Sequence, residues 1–245
     1  MKAKISFFLL LCFAVAALAK EEAKPAAEEK EFHDPFAAED TAAQPKVSDP
    51  LERMNRAFFR FNDKLYCWVL RPVSKGYRIV APKPVRESFE RFFDNVKFPI
   101  RLVNNVLEGR LKGAGIETTR FVVNTTMGVG GLFDPATRWR LKAHPADFDQ
   151  TLAVYGISTG IYLNWPILGP SSVRGTVGTA GEIALSPAWY FDIPCAVTLG
   201  AEGLERVNTT SLHSDEYDAL KQATLDPYVA LRSAYFERRA DAAKR

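Results

Sequence analysis

The stretch Asp49–Leu70, DPLERMNRAFFRFNDKLYCWVL, predicts a helix that carries a continuous apolar face. Asp49 is suited to cap this helix, Pro50 to occupy its first position and Glu52 to complete a capping box. Apolar side chains then recur every three or four residues, at Leu51, Met54, Phe58, Phe61, Leu65 and Trp68. Burying each of them contributes about 1.5–3 kcal/mol, and the whole face contributes on the order of 10 kcal/mol. The apolar face must therefore contact either a protein core or lipid.

The first 48 residues divide into two segments of different composition. Lys2 and Lys4, the apolar run Ile5–Leu18 and the small residues at its end predict a secretory signal peptide over residues 1–19. Residues 20–48 hold eight acidic and four basic side chains but only three large apolar ones. Because such a segment buries little apolar surface, we expect a flexible acidic spacer there. The mature protein is predicted to be exported.

The remaining residues are predicted to form one mildly basic domain over residues 49–240, with a short tail at residues 241–245. The whole chain carries +3, the leader +2 and the spacer −4, so residues 49–245 carry +5. Part of this charge lies in a row on the first helix, at Arg53, Arg56, Arg60 and Lys64. Such a row suits a solvated face, phospholipid headgroups or an acidic partner. Nucleic acid is not predicted as a partner, because the basic residues are spread over several helices of an exported chain.

Neither a spanning helix nor a disulfide is required by the sequence. After the leader no run of about 18 apolar residues occurs, so no transmembrane helix is predicted. Cleavage leaves Cys67 and Cys195 in a compartment that permits disulfides. Nothing in their spacing shows that they meet, so a Cys67–Cys195 disulfide and two free buried thiols both stay open.

Helical patterns continue along most of the domain. Two segments lack charge altogether, Phe121–Phe133 and Thr151–Val173, and the second is interrupted by glycine and proline, which favours a hairpin or an irregular loop. Irregular backbone at membrane depth needs protein or a watery cavity to satisfy its polar groups, so both segments are candidates to line a passage, with ordinary core as the alternative. Pro72 predicts a break after the first helix, within Leu70–Val73. The predicted helices beyond it are 85–96, 99–108, 116–127, 147–155, 172–185, 197–207, 214–223 and 227–240.

Catalytic and metal-binding patterns are weak in this chain. The segment Gly156–Gly160 matches the G-x-S-x-G elbow, which needs a strand before the serine and a helix after it. Here a helical pattern precedes Ser158 and a strand-like one follows, so a serine hydrolase is kept only as an alternative. No metal-ligand spacing occurs, and no enzyme activity and no cofactor are predicted. Gly128, Gly130 and Gly131 lack the lysine of a phosphate loop and predict a sharp chain reversal, with a hinge near a pore as the functional alternative.

Several ordered motifs resemble the MlaA (VacJ) family. The resemblance runs from about Asp49 to Arg238, with comparable gaps between the motifs. The family comprises outer-membrane components of bacterial lipid-asymmetry maintenance systems. The motifs are DPLERMNRAFFRFN from Asp49, Leu70-Arg71-Pro72-Val73, Asn104-Asn105-Val106-Leu107-Glu108-Gly109, TRFVVNT from Thr119, GVGGLFD from Gly128 and Asp226-Pro227-Tyr228.

The resemblance implies a mostly α, single-domain ring of amphipathic helices that lies in the inner leaflet of the outer membrane. An irregular or hairpin segment would lie near its central channel. It implies a protein that removes misplaced phospholipids from the outer leaflet and passes them to a periplasmic lipid-carrier protein. It also implies association with a trimeric outer-membrane porin. A non-transporting envelope scaffold is the alternative.

The implied site consists of a channel wall and a gate. Family members commonly carry an acylated N-terminal cysteine, but Leu11 is bulkier than the residue expected before a lipidated Cys12, which argues against lipidation there. The protein is nevertheless expected at the periplasmic face of the outer membrane, because buried apolar surface can hold it in the plane of a bilayer. We predict Leu51, Met54, Phe58, Phe61 and Leu65 in the channel wall, Asn55 and Asn62 at its border, and Gly128, Gly130 and Gly131 in the gate.

Overall fold

The computed structural model describes residues 49–243 except 187, 189, 190 and 192, and within them the chain is mostly helical with one two-stranded hairpin. The predicted mostly α fold with a hairpin is confirmed. The predicted signal peptide, the spacer and Cys12 lie outside the described residues. The helices are α1 (Glu52–Leu65), α2 (Arg71–Val80), α3 (Lys83–Val96), α4 (Phe98–Leu107), α5 (Leu111–Thr126), α6 (Pro135–Arg138), α7 (Phe148–Val154), α8 (Val173–Leu185), α9 (Cys195–Ala223) and α10 (Pro227–Ala243); the strands are β1 (Tyr162–Trp165) and β2 (Gly169–Ser172).

Helix α1 begins later than the sequence pattern predicts, and the helical backbone continues from it into α2. Leu51 is the N-cap of α1 and makes no side-chain capping bond, so the prediction of Asp49 as the cap is wrong. The predicted break near Pro72 is also wrong, because a π-helical segment, Tyr66–Leu70, joins α1 directly to α2. Proline removes a donor from the helical ladder. Pro72 lies at the start of α2, just after the π turns have shifted the hydrogen-bond register.

Helix α9 is continuous, although the sequence predicts two helices separated near residues 208–213. The polar side chains of that region bond to α3 instead of breaking the helix. Asn208 Nδ2 donates to the carbonyl oxygen of Arg86 at 2.9 Å, and Arg86 Nη1 donates to the carbonyl oxygen of Ser211 at 2.7 Å. Helices α2 and α3 pack against α9. Tertiary hydrogen bonds therefore account for a polar stretch that resembles a helix end.

The hairpin is the packing centre for both ends of the described chain. Its strands are antiparallel, with Tyr162 opposite Ser172, and β1 contacts α1 while β2 contacts α10. The fully buried Tyr162 ring packs edge-on against Tyr228 and Tyr235 of α10, with centroids 6.1 and 5.9 Å apart. These aromatic contacts join the first and last helices through the hairpin.

Candidate functional site

Large apolar side chains lie on the outside of this fold, and many polar side chains lie inside it. Glu117, Asn104 and Asn105 are fully buried. Trp68 and Ile79, by contrast, are 75% and 86% exposed. Water-soluble proteins favour the reverse distribution, and extended exposed apolar surface marks contact with a partner or with lipid. No helix in the described part of the chain combines the length and apolar character needed to cross a bilayer.

Helix α1 turns its apolar stripe outward. The stripe comprises the predicted wall residues: Leu51, Met54 and Phe61 are exposed, and Phe58 and Leu65 are half-buried. Helix α1 contacts the rest of the protein through Asn55, which is fully buried, and through Phe59, whose ring lies 5.8 Å from that of Tyr228. The helix thus packs onto the protein chiefly through Asn55 and Phe59, and it leaves most of the stripe exposed. The assignment of the stripe to a channel wall stays a prediction.

Two asparagines of α1 bind the backbone of the hairpin. Asn55 Nδ2 donates to the Tyr162 carbonyl oxygen at 3.0 Å, and the Asn164 N–H donates to Asn55 Oδ1 at 2.9 Å. Asn62 Nδ2 donates to the Trp165 carbonyl oxygen at 2.8 Å, and Asn62 Oδ1 accepts from the Ile167 N–H at 2.7 Å. Each amide therefore replaces one rung of a β-ladder. Asn55 lies within the protein, whereas the sequence interpretation placed it at the channel border.

Asn55→Ala is expected to lower the free energy of unfolding by about 2 kcal/mol, because it leaves the buried Asn164 N–H without its acceptor. Denaturant unfolding in detergent measures this loss. The exposed neighbour Arg53 supplies a control, Arg53→Ala, which is expected to change stability by less than about 0.5 kcal/mol. Equal stability of the two variants would contradict a structural role for Asn55.

The chain reverses after α5 in a tight glycine turn, residues 128–133. Val129, Gly130 and Gly131 have φ values of 52°, 71° and 99°, in the left-handed region. The Gly130 and Gly131 N–H groups donate to carbonyl oxygens of α5 at 2.9 and 2.8 Å. A Cβ on Gly131 would lie 2.5 Å from that of Asn95, whereas one on Gly130 would face open space. The structure contains the predicted sharp reversal, and the hinge stays a hypothesis.

Two buried polar side chains of α5 bind Asp134, the residue that follows this turn. The sequence analysis singled out their motif, TRFVVNT, but did not predict this contact. Arg120, 8% exposed, donates from Nη2 to Asp134 Oδ2 at 2.9 Å. Asn124 Nδ2 donates to Asp134 Oδ1 at 3.1 Å. Burial alone would raise the pKa of the Asp134 carboxyl. Hydrogen bonds from Thr137 and Arg120 outweigh it and hold this pKa below its usual value.

A small polar cavity lies beside the glycine turn. Its volume is about 30 Å³, room for about one water molecule. Its lining carries both signs of charge and two amides, so it suits polar groups and not hydrocarbon. The residues that line it are Arg91, Asp94, Asn95, Arg101, Arg120, Asn124 and Asp134.

His213 joins two helices through carboxylates. Its Nδ1 lies 2.9 Å from Glu216 on α9, and its Nε2 lies 3.2 Å from Glu90 on α3. Hydrogen bonds to Glu216 and then to Glu90 raise the pKa of His213, so the charged imidazolium stabilises the α3–α9 contact.

His213→Gln is expected to lower the melting temperature in acid but not in alkali. A raised folded-state pKa contributes stability that is fully present below about pH 6.5, the unfolded value, and is lost as pH rises through the folded pKa. Melting curves of the two proteins across this range test the sign. A difference that grows with pH would contradict it.

The residues considered for a serine hydrolase and for a disulfide do not lie together in the structure. Ser158 lies in an exposed loop after α7 and before β1, so the strand and helix that an elbow requires are missing. His213 contacts the two glutamates, and His144 Nδ1 lies 2.9 Å from the Lys142 carbonyl oxygen. Cys67 is half-buried, Cys195 is exposed and both thiols are free, so the disulfide is not formed. Among the described residues no group of three His, Cys, Asp or Glu side chains is arranged to hold a metal.

The fold and the site define a class of helical protein with many exposed apolar and many buried polar side chains, in which a hairpin joins the first and last helices. Residues 47–242 match the family model described as "MlaA lipoprotein". The chain belongs to this family.

Relatives agree over most of the chain. The Escherichia coli K12 protein named "Intermembrane phospholipid transport system lipoprotein MlaA" is 33% identical, covering 78% of this chain and 76% of its own. Its Haemophilus influenzae namesake is 29% identical over 81% of this chain and 80% of its own. An uncharacterized Rickettsia felis protein is 35% identical over 77% of this chain and 75% of its own. A solved structure from work on "maintenance of bacterial outer membrane lipid asymmetry" superposes with a TM-score of 0.71 at 33% identity, covering 80% of this chain and 99% of that one.

Proposed function

We propose that this protein transfers phospholipid between membranes of a bacterial envelope. It would remove misplaced phospholipids from the outer leaflet of the outer membrane and pass them to a periplasmic carrier, which maintains lipid asymmetry. The observation that carries this proposal is the partly inverted distribution of side chains, with many large apolar ones exposed and many polar ones buried, in a chain of the MlaA lipoprotein family. The names of its curated relatives support the same function.

The inverted distribution supplies the two environments that a moving phospholipid needs. Acyl chains would lie against the exposed stripe of α1, and the protein would rest in the inner leaflet at the periplasmic face, held by such surfaces. The charged headgroup requires polar partners, since burying it unpaired in hydrocarbon is costly. The polar cavity beside the glycine turn has the right chemistry but holds only about one water molecule. Passage of a headgroup there would require the turn to move, which is the gate assigned to Gly128, Gly130 and Gly131.

The family resemblance adds two protein partners to this proposal. A periplasmic lipid carrier would receive the phospholipid, and a trimeric outer-membrane porin would hold the protein in place. No covalent chemistry is needed, because extraction and transfer leave the phospholipid intact. Ser158→Ala is accordingly expected to retain full function.

Surface phospholipid in intact cells tests the proposal. Deletion of the gene is expected to increase the labelling of phosphatidylethanolamine by a membrane-impermeant amine reagent, and the wild-type gene should return the labelling to its normal level. A gene that carries Phe61→Glu should leave the labelling high, because a charge replaces exposed apolar surface. A gene that carries the neighbouring exposed change Arg60→Glu should return the labelling to normal. Membrane association without any change in labelling on deletion would instead identify a scaffold.

A further inference from the structure

The end of α6 and the segment that follows it display unpaired cations around an exposed tryptophan. Arg138, Arg140 and Lys142 are exposed, and Trp139 is 55% exposed. The side chains of these three cations form no ion pair or hydrogen bond with any residue that the structure describes. We call Arg138–Lys142 the basic loop.

Neighbouring acidic groups do not neutralise the basic loop. Residues 135–146 contain no aspartate or glutamate. Asp134, just before them, is bound by Arg120 at 2.9 Å, and Asp147, just after them, pairs with Arg239. The three positive charges are therefore available to an external anion.

Buried groups hold the basic loop in one conformation. Arg120 Nη1 donates to the Leu141 carbonyl oxygen. Farther along, Asn105 Nδ2 donates to the His144 carbonyl oxygen at 2.9 Å, and the His144 N–H donates to Glu117 Oε1 at 2.6 Å. Arg140 has a φ of 60°, a conformation that a non-glycine residue adopts only at some cost. A loop fixed in this way loses little entropy when it binds.

We propose that the basic loop is an interfacial anchor that binds the phosphates of anionic phospholipid headgroups at the membrane surface. Arginine and lysine near an anionic bilayer bind its headgroups, and tryptophan prefers the boundary between headgroups and acyl chains. An acidic protein surface would also satisfy the cations, but the large exposed apolar side chains elsewhere on this fold and the proposed function favour a lipid surface. The inference rests on the proposed function, since it requires the protein to lie at a lipid surface.

Flotation with vesicles tests this anchor. The mature full chain, purified in detergent, is diluted into vesicles of phosphatidylcholine alone or mixed equally with phosphatidylglycerol. The triple variant Arg138→Gln, Arg140→Gln, Lys142→Gln is compared with a control of identical charge change. The control replaces three exposed cations that also lack a described partner, Lys75→Gln, Arg78→Gln and Arg238→Gln.

Loss of the anchor is expected to weaken binding to the anionic vesicles by on the order of 100-fold, while the control changes it by less than about threefold. Equal losses in both variants would overturn the inference, because net charge alone would then explain binding. An unchanged triple variant would overturn it too and leave an acidic protein surface as the occupant. A wild-type protein that floats equally with both vesicle types refutes only the anchor, whereas one that floats with neither also contradicts the proposed function.

A single substitution separates binding from folding. Arg140→Gly removes one cation and places glycine where φ is already 60°, so the melting temperature should not fall. Binding to the anionic vesicles should nevertheless weaken by roughly fivefold. A protein that keeps its full affinity would show that Arg140 is outside the anchor.

Discussion

Gly128→Ala is expected to lower the free energy of unfolding by about 3 kcal/mol or more, among the largest effects of any single methyl group in this chain. The added Cβ would lie 2.4 Å from the carbonyl oxygens of both Asn124 and Phe133. Neither oxygen can retreat easily, because both belong to backbone. The Asn124 oxygen also accepts from the Gly131 N–H at 2.8 Å, so a shift there would disturb the turn itself.

Two other glycines provide matched controls. Gly115 lies within α5, the helix that precedes the turn, and open space surrounds the methyl group that Gly115→Ala would add, so this change is expected to raise stability by about 0.5–1 kcal/mol. Gly130→Ala meets no atom but must adopt a φ of 71°, at a cost of about 1–2 kcal/mol. Denaturant unfolding of the three variants gives the order. A Gly128→Ala protein as stable as Gly115→Ala would refute the turn geometry.

The same series also tests the hinge. Gly130 is the position where a methyl group would restrict motion without meeting another atom, so Gly130→Ala should alter surface phospholipid more than its cost of about 1–2 kcal/mol alters folding. Gly131 cannot separate the two effects, because its Cβ would meet Asn95. Equal loss of folding and transport in Gly130→Ala would mean that the glycine is only structural.

Arg120→Leu is expected to cost about 3–5 kcal/mol of stability. Arg120 is 8% exposed, and its guanidinium contacts Asp134, the Thr137 hydroxyl and the Leu141 carbonyl oxygen. Its removal leaves a partly buried carboxylate uncompensated, and the pKa of Asp134 should rise because burial is then less opposed. In the wild type the lowered pKa of Asp134 contributes stability above the unfolded value of about 4, which is lost as pH falls. This pH-dependent part of the free energy of unfolding should be smaller in Arg120→Leu than in the wild type.

Two further variants identify the cause of that loss. Arg78→Leu removes an exposed arginine and is expected to change stability by less than about 0.5 kcal/mol. Adding Asp134→Asn to Arg120→Leu should recover part of the loss, since the uncompensated charge disappears. Additive losses in the double variant would show that the two side chains do not act as a pair.

Local structure was predictable to a useful degree from residue spacing. The helical pattern from Leu51 onward, the hairpin in the uncharged segment after Thr151 and the reversal at the glycines all appear in the structure. Helix ends were less predictable. Pro72 indicated a break, and the polar residues after Val207 indicated a loop, but a π turn and hydrogen bonds to α3 keep both regions helical. Neither the π turn nor the hydrogen bonds to α3 can be recognised from a pattern in the local sequence.

The candidate site shows the same division. The apolar stripe was found from its helical spacing and the turn from the torsion angles that glycine permits, and both are local properties. The buried Arg120–Asp134 pair and the Asn55 contact with Tyr162 were not, because each joins residues that only folding brings together. The motif around Arg120 gave a signal, but its residue types do not reveal which of them are buried.

The amino-acid sequence by itself determined that α1 carries an apolar stripe, that the chain is mostly helical and that it reverses after α5. These features depend on periodicity and on the torsion angles that glycine permits, which are local properties. Only the tertiary structure decided that the stripe faces outward and that Asn55 faces inward, because that choice depends on which face of α1 the hairpin contacts. A hydrophobic face contains the same residues whether a protein core or a lipid covers it, so packing alone distinguishes the two.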